Sequence, residues 1–132
     1  MKGIITVLFI LCAVILASEP FSIGFIYVGS VNDGGWTEKH DEGRLYLEKT
    51  FGSQIETSFI ENVTEGEQDL EVLRSYAERN VKLLFSTSFG FMDDVLEIAK
   101  DYPDTIFKHC SGYETAKNVG TYFGRIYEPA YL

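Results

Sequence analysis

The stretch that most restricts the fold is the apolar run Ile23-Gly24-Phe25-Ile26-Tyr27-Val28, which ends in Gly29-Ser30-Val31-Asn32-Asp33-Gly34-Gly35-Trp36. With almost no polar alternation and too few residues for a helix, it reads as a strand covered on both faces, as in a parallel sheet flanked by helices. Asn32, Asp33, Gly34 and Gly35 tolerate positive φ or bond locally to the backbone, so the chain can turn sharply before Trp36. The unit is strand, turn, helix. In open α/β folds, ligands bind in the crevice at the carboxyl ends of the strands, where a helix N-terminus presents free N–H groups. Asp33 and Trp36 are expected at its rim.

The chain of 132 residues supports one domain at most, and its 45% hydrophobic content suffices for a core. Met1-Lys2-Gly3, an uncharged apolar segment from Ile4 to Ala17, then Ser18-Glu19-Pro20 make a secretory signal peptide over residues 1–17, short for a membrane-spanning helix. The remainder, 18–132, is the folded unit. Losing Lys2 takes Lys+Arg from 11 to 10 against 20 Asp+Glu, so the net charge moves from −9 to −10. A surface that acidic repels phosphate backbones and argues against nucleic-acid binding. Of the two cysteines, Cys12 lies inside the signal and Cys110 in an apolar strand, so the mature chain has no internal disulfide. Leu11 stands where a lipoprotein signal wants a small residue, which counts against lipidation of Cys12. Cys110 reads as a small core residue.

From Trp36 the positions Trp36, His40, Gly43, Leu47 and Phe51 predict one buried helix face, with Gly52 as the stop and Gly43 as a point of close approach to the sheet. Ile55 to Ile60 reads as an edge strand of mixed pattern. Thr64 and Glu67 predict a capping box opening a helix that buries Leu70, Leu73, Tyr76 and Ala77 and ends near Asn80. Val81 to Thr87 is another buried strand, with Ser88-Phe89-Gly90-Phe91 as its turn. A third helix runs from Met92 to Tyr102, started by Asp93 and Asp94 and ended by Pro103. Thr105 to Cys110 and Asn118 to Phe123 are the last strands, and Tyr127 to Leu132 begins a further element. The alternation predicts an α/β fold, a three-layer, mostly parallel sheet with right-handed crossovers.

Catalysis finds no support in the motifs. The chain lacks Gly-x-Gly-x-x-Gly after the first strand, a Gly-x-x-x-x-Gly-Lys-Ser/Thr loop and a Gly-x-Ser-x-Gly elbow, so no cofactor is expected. His40, Asp41 and Glu42 are consecutive on a helix and point about 100° apart, so they do not converge on a metal. Asp93 and Asp94 serve a helix start. Asn62-Val63-Thr64 is a glycosylation acceptor only in a host that glycosylates exported proteins. The aromatics at strand ends carry more. Tyr27, Trp36, Phe89, Phe91 and Tyr113 fall at or just past carboxyl ends, and Trp36 and Phe89, on glycine-flanked turns, are best placed to stack a planar ligand, with Asp33 accepting a hydrogen bond from it.

In Phe25-Ile26-Tyr27-Val28-Gly29, Asp33-Gly34-Gly35-Trp36-Thr37 and His40-Asp41-Glu42-Gly43-Arg44 the chain resembles the basic membrane lipoprotein family of ABC-transporter substrate-binding proteins. Glu61-Asn62-Val63, Ser86 to Met92, Gly112-Tyr113 and Asn118 to Phe123 continue the match in order. The resemblance implies one lobe of a type I periplasmic-binding-protein fold. It also implies a nucleoside, purine base or similar solute in the cleft, an ABC permease as partner, and an exported location, whether periplasmic, secreted or attached to the outer face of a membrane. Carried onto this sequence, it points to Asp33, Gly34, Trp36, Phe89 and Gly90 as ligand-binding residues, with Tyr27 and Tyr113 beside them. Family members are more than twice this long, so only the first lobe is expected here. Half a cleft should hold a solute weakly. The alternative is a secreted interaction module that dimerises or binds a partner through the exposed crevice and hinge surface.

Overall fold

A computed structural model of the chain describes residues 19–125. The expected signal, Cys12 and the element beginning at Tyr127 lie outside them. The apolar run overlaps the strand β1 (Phe21–Ile26), which starts two residues earlier and ends before Tyr27. It is followed by α1 (Trp36–Phe51), β2 (Ile55–Ile60), α2 (Glu67–Glu78), β3 (Leu83–Ser86), α3 (Met92–Asp101), β4 (Ile106–Cys110) and β5 (Val119–Tyr122). The strands form one sheet in the order β2-β1-β3-β4-β5, and every neighbouring pair is parallel.

That order dictates where the helices go. The chain steps from β1 to β2 in one direction and from β2 to β3 and on to β4 in the other, so right-handed crossovers put α1 on one face and α2 and α3 on the opposite one. Two apolar clusters match this division. Ile26, Leu84 and Phe107 of the sheet pack with Leu73, Tyr76, Val95 and Ile98 of α2 and α3. Ile23, Phe25 and Tyr27 pack with Leu47, Ile55, Leu83 and Phe85 on the α1 side. β1 therefore feeds both clusters, as its unbroken hydrophobicity predicts. β4 and β5 are joined without a helix, and Asn118 fixes their connection by placing its amide nitrogen 3.0–3.1 Å from the carbonyls of Ala99, Tyr102 and Thr105.

Three expectations about the helices are corrected. Leu47 packs on the sheet as expected, but the rest of the face that α1 turns to it is Thr37, Asp41, Arg44 and Glu48, whereas Trp36 and Phe51 are exposed. Arg44 is buried and donates to Asp41 at 2.6 and 3.2 Å, to Glu48 at 2.9 Å and to Thr57 at 3.2 Å; Tyr27 donates to Asp41 at 3.2 Å. A polar seam thus replaces the apolar stripe, because strand residues Tyr27 and Thr57 offer hydroxyls to it. Second, a side chain at Gly43 would meet nothing, while a Cβ at Gly24 would come within 2.5 Å of Tyr76 and 2.7 Å of Leu84. The close approach of helix and sheet is made by the strand glycine beneath α2. Third, Thr64 pairs with Gln68, not Glu67, through its N–H at 2.8 Å and its hydroxyl at 2.6 Å. α2 then begins after Gly66, whose φ of 112° only glycine adopts readily.

The start of α1 is fixed by Asp33. Gly35, at the cap position, has no side chain to offer, and the carboxylate two residues earlier accepts the N–H groups of Gly35 at 2.8 Å, Thr37 at 2.8 Å and Glu38 at 3.1 Å. These bonds, those of Thr37 and Glu38 foremost, hold the Asp33 carboxyl down at about 2. Its stabilising effect is therefore complete above the ordinary carboxylate value and is lost as the pH falls toward 2. The Gly35, Thr37 and Glu38 amide resonances should titrate together with a midpoint near pH 2. A midpoint at the ordinary 3.8 would show the carboxylate free.

Asp69 on α2 is fully buried. Burial, followed by the neighbouring carboxyl of Asp94, pushes it up to about 6. The folded chain then holds a proton that the unfolded chain releases, so this site's contribution is present below pH 4 and fades as the pH rises through 6. Asp69→Asn should raise the melting temperature at pH 7.5, by on the order of 1 kcal/mol or about 4–8 °C, and have little effect at pH 4. Thermal melts at both values decide it. An equal shift at both would exclude the proton.

Candidate functional site

The reversal of strand order between β1 and β3 opens a crevice at their carboxyl ends, the place where an open α/β sheet receives a ligand. Two chain segments meet across it. Trp36, the first residue of α1, donates its indole N–H to the carbonyl of Thr87, just past β3, at 2.6 Å. The bond anchors one edge of the ring, and 42% of the side chain stays exposed. Beside it lies a hollow of about 490 Å³ lined by Trp36, His40, Tyr122 and Phe123, with Cys110 beneath and Gly35, Gly124 and Lys39 at the margin.

The aromatic walls support one another. The His40 ring stands 5.0 Å from Trp36 and 6.2 Å from Tyr122, and Phe123 stands 6.3 Å from Trp36. The imidazole Nδ1–H donates to the Trp36 carbonyl at 2.7 Å, which ties the first turn of α1 to the wall. Burial pushes the Tyr122 phenol and the Cys110 thiol up, so both remain protonated beside the hollow. The Lys39 ammonium is itself engaged with Glu42 at 2.7 Å.

A second aromatic pair lies on the neighbouring loops. Phe89, in a short 3-10 turn (Phe89–Phe91) after β3, and Tyr113, after β4, have ring centres 6.3 Å apart at 35° and are 56% and 71% exposed. Gly90 stands against Glu65, whose carboxylate accepts the Gly90 N–H at 3.2 Å.

The residues expected at the site thus separate. Trp36 lines the hollow; Phe89, Gly90 and Tyr113 share the adjoining surface. Gly34, at φ 71°, shapes the turn and gives its N–H to Glu38 at 3.1 Å. Two expectations are corrected. Tyr27 is fully buried, and its hydroxyl points under α1 to Asp41, because the residue after β1 alternates toward the helix face. The Asp33 carboxylate accepts three N–H groups at the start of α1, so no row of free helix N–H groups is offered there. His40, Lys39, Tyr122 and Phe123 were not singled out as ligand contacts. For His40 a signal existed, since it follows Trp36 by four residues and shares its helix face. Among the described residues no group of three or more His, Cys, Asp or Glu side chains could hold a metal, and no helix is long and apolar enough to cross a membrane.

Comparison with known proteins bears on this geometry. The chain is 43% identical over 116 residues to a purine-binding protein of Brucella abortus, covering 88% of this chain and 33% of that protein. It is 38% identical over 114 residues to a putative ABC transporter glucose-binding protein of Haloferax volcanii, covering 86% and 29%. It thus spans about a third of the length of these curated relatives. The fold is shared with a solved ABC-transporter solute-binding protein of Conexibacter woesei, with a TM-score of 0.69 at 18% identity over 77% of this chain and 34% of that one. The family model for ABC transporter substrate-binding protein PnrA-like matches residues 21–132. By that match over most of its length, the chain belongs to the PnrA-like, or Bmp, family of ABC-transporter substrate-binding proteins, which bind solutes and are not enzymes.

Proposed function

We propose that this chain forms the first lobe of an exported solute-binding protein and stacks a purine base or nucleoside on the open face of Trp36, for delivery to an ABC permease. The observation that carries the reading is the anchored, half-exposed indole beside an apolar hollow at the strand-order reversal. Its volume of about 490 Å³ lies within the range of small-molecule sites, roughly 300–1,000 Å³. An aromatic platform suits a flat, uncharged heterocycle, and stacking a base on such a ring is worth about 1–3 kcal/mol. The name of the Brucella abortus relative supports purines, and the name of the Haloferax volcanii relative makes glucose the competing solute. Phe89 and Tyr113 extend the surface beyond the hollow, where a ribose or the second lobe would come.

The chain has one tryptophan, so its emission reports on Trp36 alone. Adenine, adenosine or guanosine at millimolar concentration should quench that emission and raise the melting temperature, whereas glucose should do neither. Trp36→Phe should retain binding. Trp36→Ala, followed by calorimetry, should weaken it about 5- to 150-fold, the equivalent of the lost stacking. Unchanged emission with every purine would overturn the reading. Combined with a concentration-dependent dimer in sedimentation, that result would favour the interaction module, for which the exposed Phe89, Tyr113 and Phe123 offer apolar contacts at the crevice.

A further inference from the structure

Phe89 is a large apolar side chain more than half exposed on a turn, a position in which a ring ordinarily samples several rotamers. The backbone beneath it is held unusually well. Ser88 is extended, at φ −128° and ψ 145°, and is bonded at both of its polar ends. Its hydroxyl donates to Oε1 of Glu65, on the loop between β2 and α2, and the same oxygen accepts the Gly90 N–H at 3.2 Å. Its carbonyl accepts the Nε2–H of His109, on β4, at 2.6 Å, and the N–H of Phe91 at 3.2 Å. Phe89 is thus bracketed by a residue gripped from a neighbouring loop and from β4, and by a glycine gripped from that same loop.

The glycines show that the fit is steric as well as polar. A side chain at Gly90 would run into the Glu65 carboxylate, and one at Gly112 would run into the His109 ring. His109 is fully buried, and burial lowers its pKa, so it is neutral with its proton on the nitrogen facing Ser88; Nδ1 is left without a partner. Two residues beyond β4, Gly112 leads directly to Tyr113. One imidazole therefore sits beneath both loops that present the exposed aromatic pair. Glu65, in contrast, is exposed and has no evident part in the core, where a solvent-facing carboxylate contributes little to stability.

We propose that Glu65 and His109 are positioning residues that hold the Phe89 ring in its exposed place beside Tyr113, so that the surface next to Trp36 is formed before a solute arrives. This rests on the reading above only in assigning Phe89 to the solute. Preorganisation of this kind raises affinity by sparing the solute the ordering of the loop.

The test uses the full chain with Glu65→Ala, Glu65→Gln, His109→Ala and His109→Gln. Glutamine at 65 keeps an acceptor oxygen, and glutamine at 109 places an amide N–H near the site of Nε2. In Glu65→Ala, amide exchange at Gly90 should rise about tenfold, the scale of one lost hydrogen bond, and the Phe89–Tyr113 ring contacts in the NOE spectrum should vanish. The melting temperature should stay within about 2 °C of the parent, as expected for an exposed group. Purine affinity should fall several-fold, and Glu65→Gln should restore exchange, ring contacts and affinity together. His109→Gln should likewise keep the ring contacts that His109→Ala loses. If His109→Ala fails to fold, the Glu65 pair still decides. Unchanged Gly90 exchange and ring contacts in Glu65→Ala would overturn the proposal, as would a fall in melting temperature that accounts for the whole loss of affinity. If the parent chain binds no purine, the functional reading fails, while exchange and ring contacts still settle what Glu65 does.

Discussion

The molecule is arranged around the burial of β1 on both faces. Because that strand must be covered above and below, α1 and the α2–α3 pair take opposite sides, and the chain has to reverse its direction of travel across the sheet between β1 and β3. The reversal leaves the loops at the carboxyl ends of these two strands diverging, which is the source of the crevice. The Trp36–Thr87 hydrogen bond spans it and sets the height of the aromatic rim. Gly24 lets Tyr76 rest directly on the strand, so the position of α2 follows from the same element.

The contact beneath α1 is of another kind. Arg44 is buried against Asp41, Glu48 and Thr57, with the Phe59 ring 4.7 Å from its guanidinium carbon. Removing ions from water is costly unless their hydrogen bonds are replaced, and here the guanidinium finds carboxylates on both sides and a threonine hydroxyl below. Such a seam is more demanding in its geometry than an oily stripe. It fixes the rotation of α1 about its axis, and with it the direction in which Trp36 presents its ring.

Much of the fold could be read from periodicity, since Ile23 to Val28, Leu83 to Phe85 and the faces of α2 and α3 carry the usual apolar spacing. The rotation of α1 could not. Apart from Leu47 its sheet-facing residues are polar, and a search for hydrophobic spacing also selects Trp36, Gly43 and Phe51, which are exposed. At the site, Trp36 was legible because a lone indole after a glycine turn has few structural uses. Asp33 was visible as an acidic residue near a helix start, but whether its oxygens reach a solute or its own backbone depends on the turn made by Gly34 and Gly35. Tyr27 misleads for a related reason: alternation continues one residue beyond the strand and carries the phenol under the helix. Glu65 and His109 left no local signal, since their partners are 21 to 25 residues away along the chain.

The way α1 begins also bears on charge selection. An uncapped helix N-terminus attracts anions through its unpaired amides and its dipole. Here those amides already serve an internal carboxylate, which stays ionised down to about pH 2. A phosphorylated solute entering beside the indole would meet like charge where other α/β proteins offer it a cradle. The N-terminus of α1 is therefore no cradle for a phosphate, because its first-turn amides are spent on a carboxylate of the same charge.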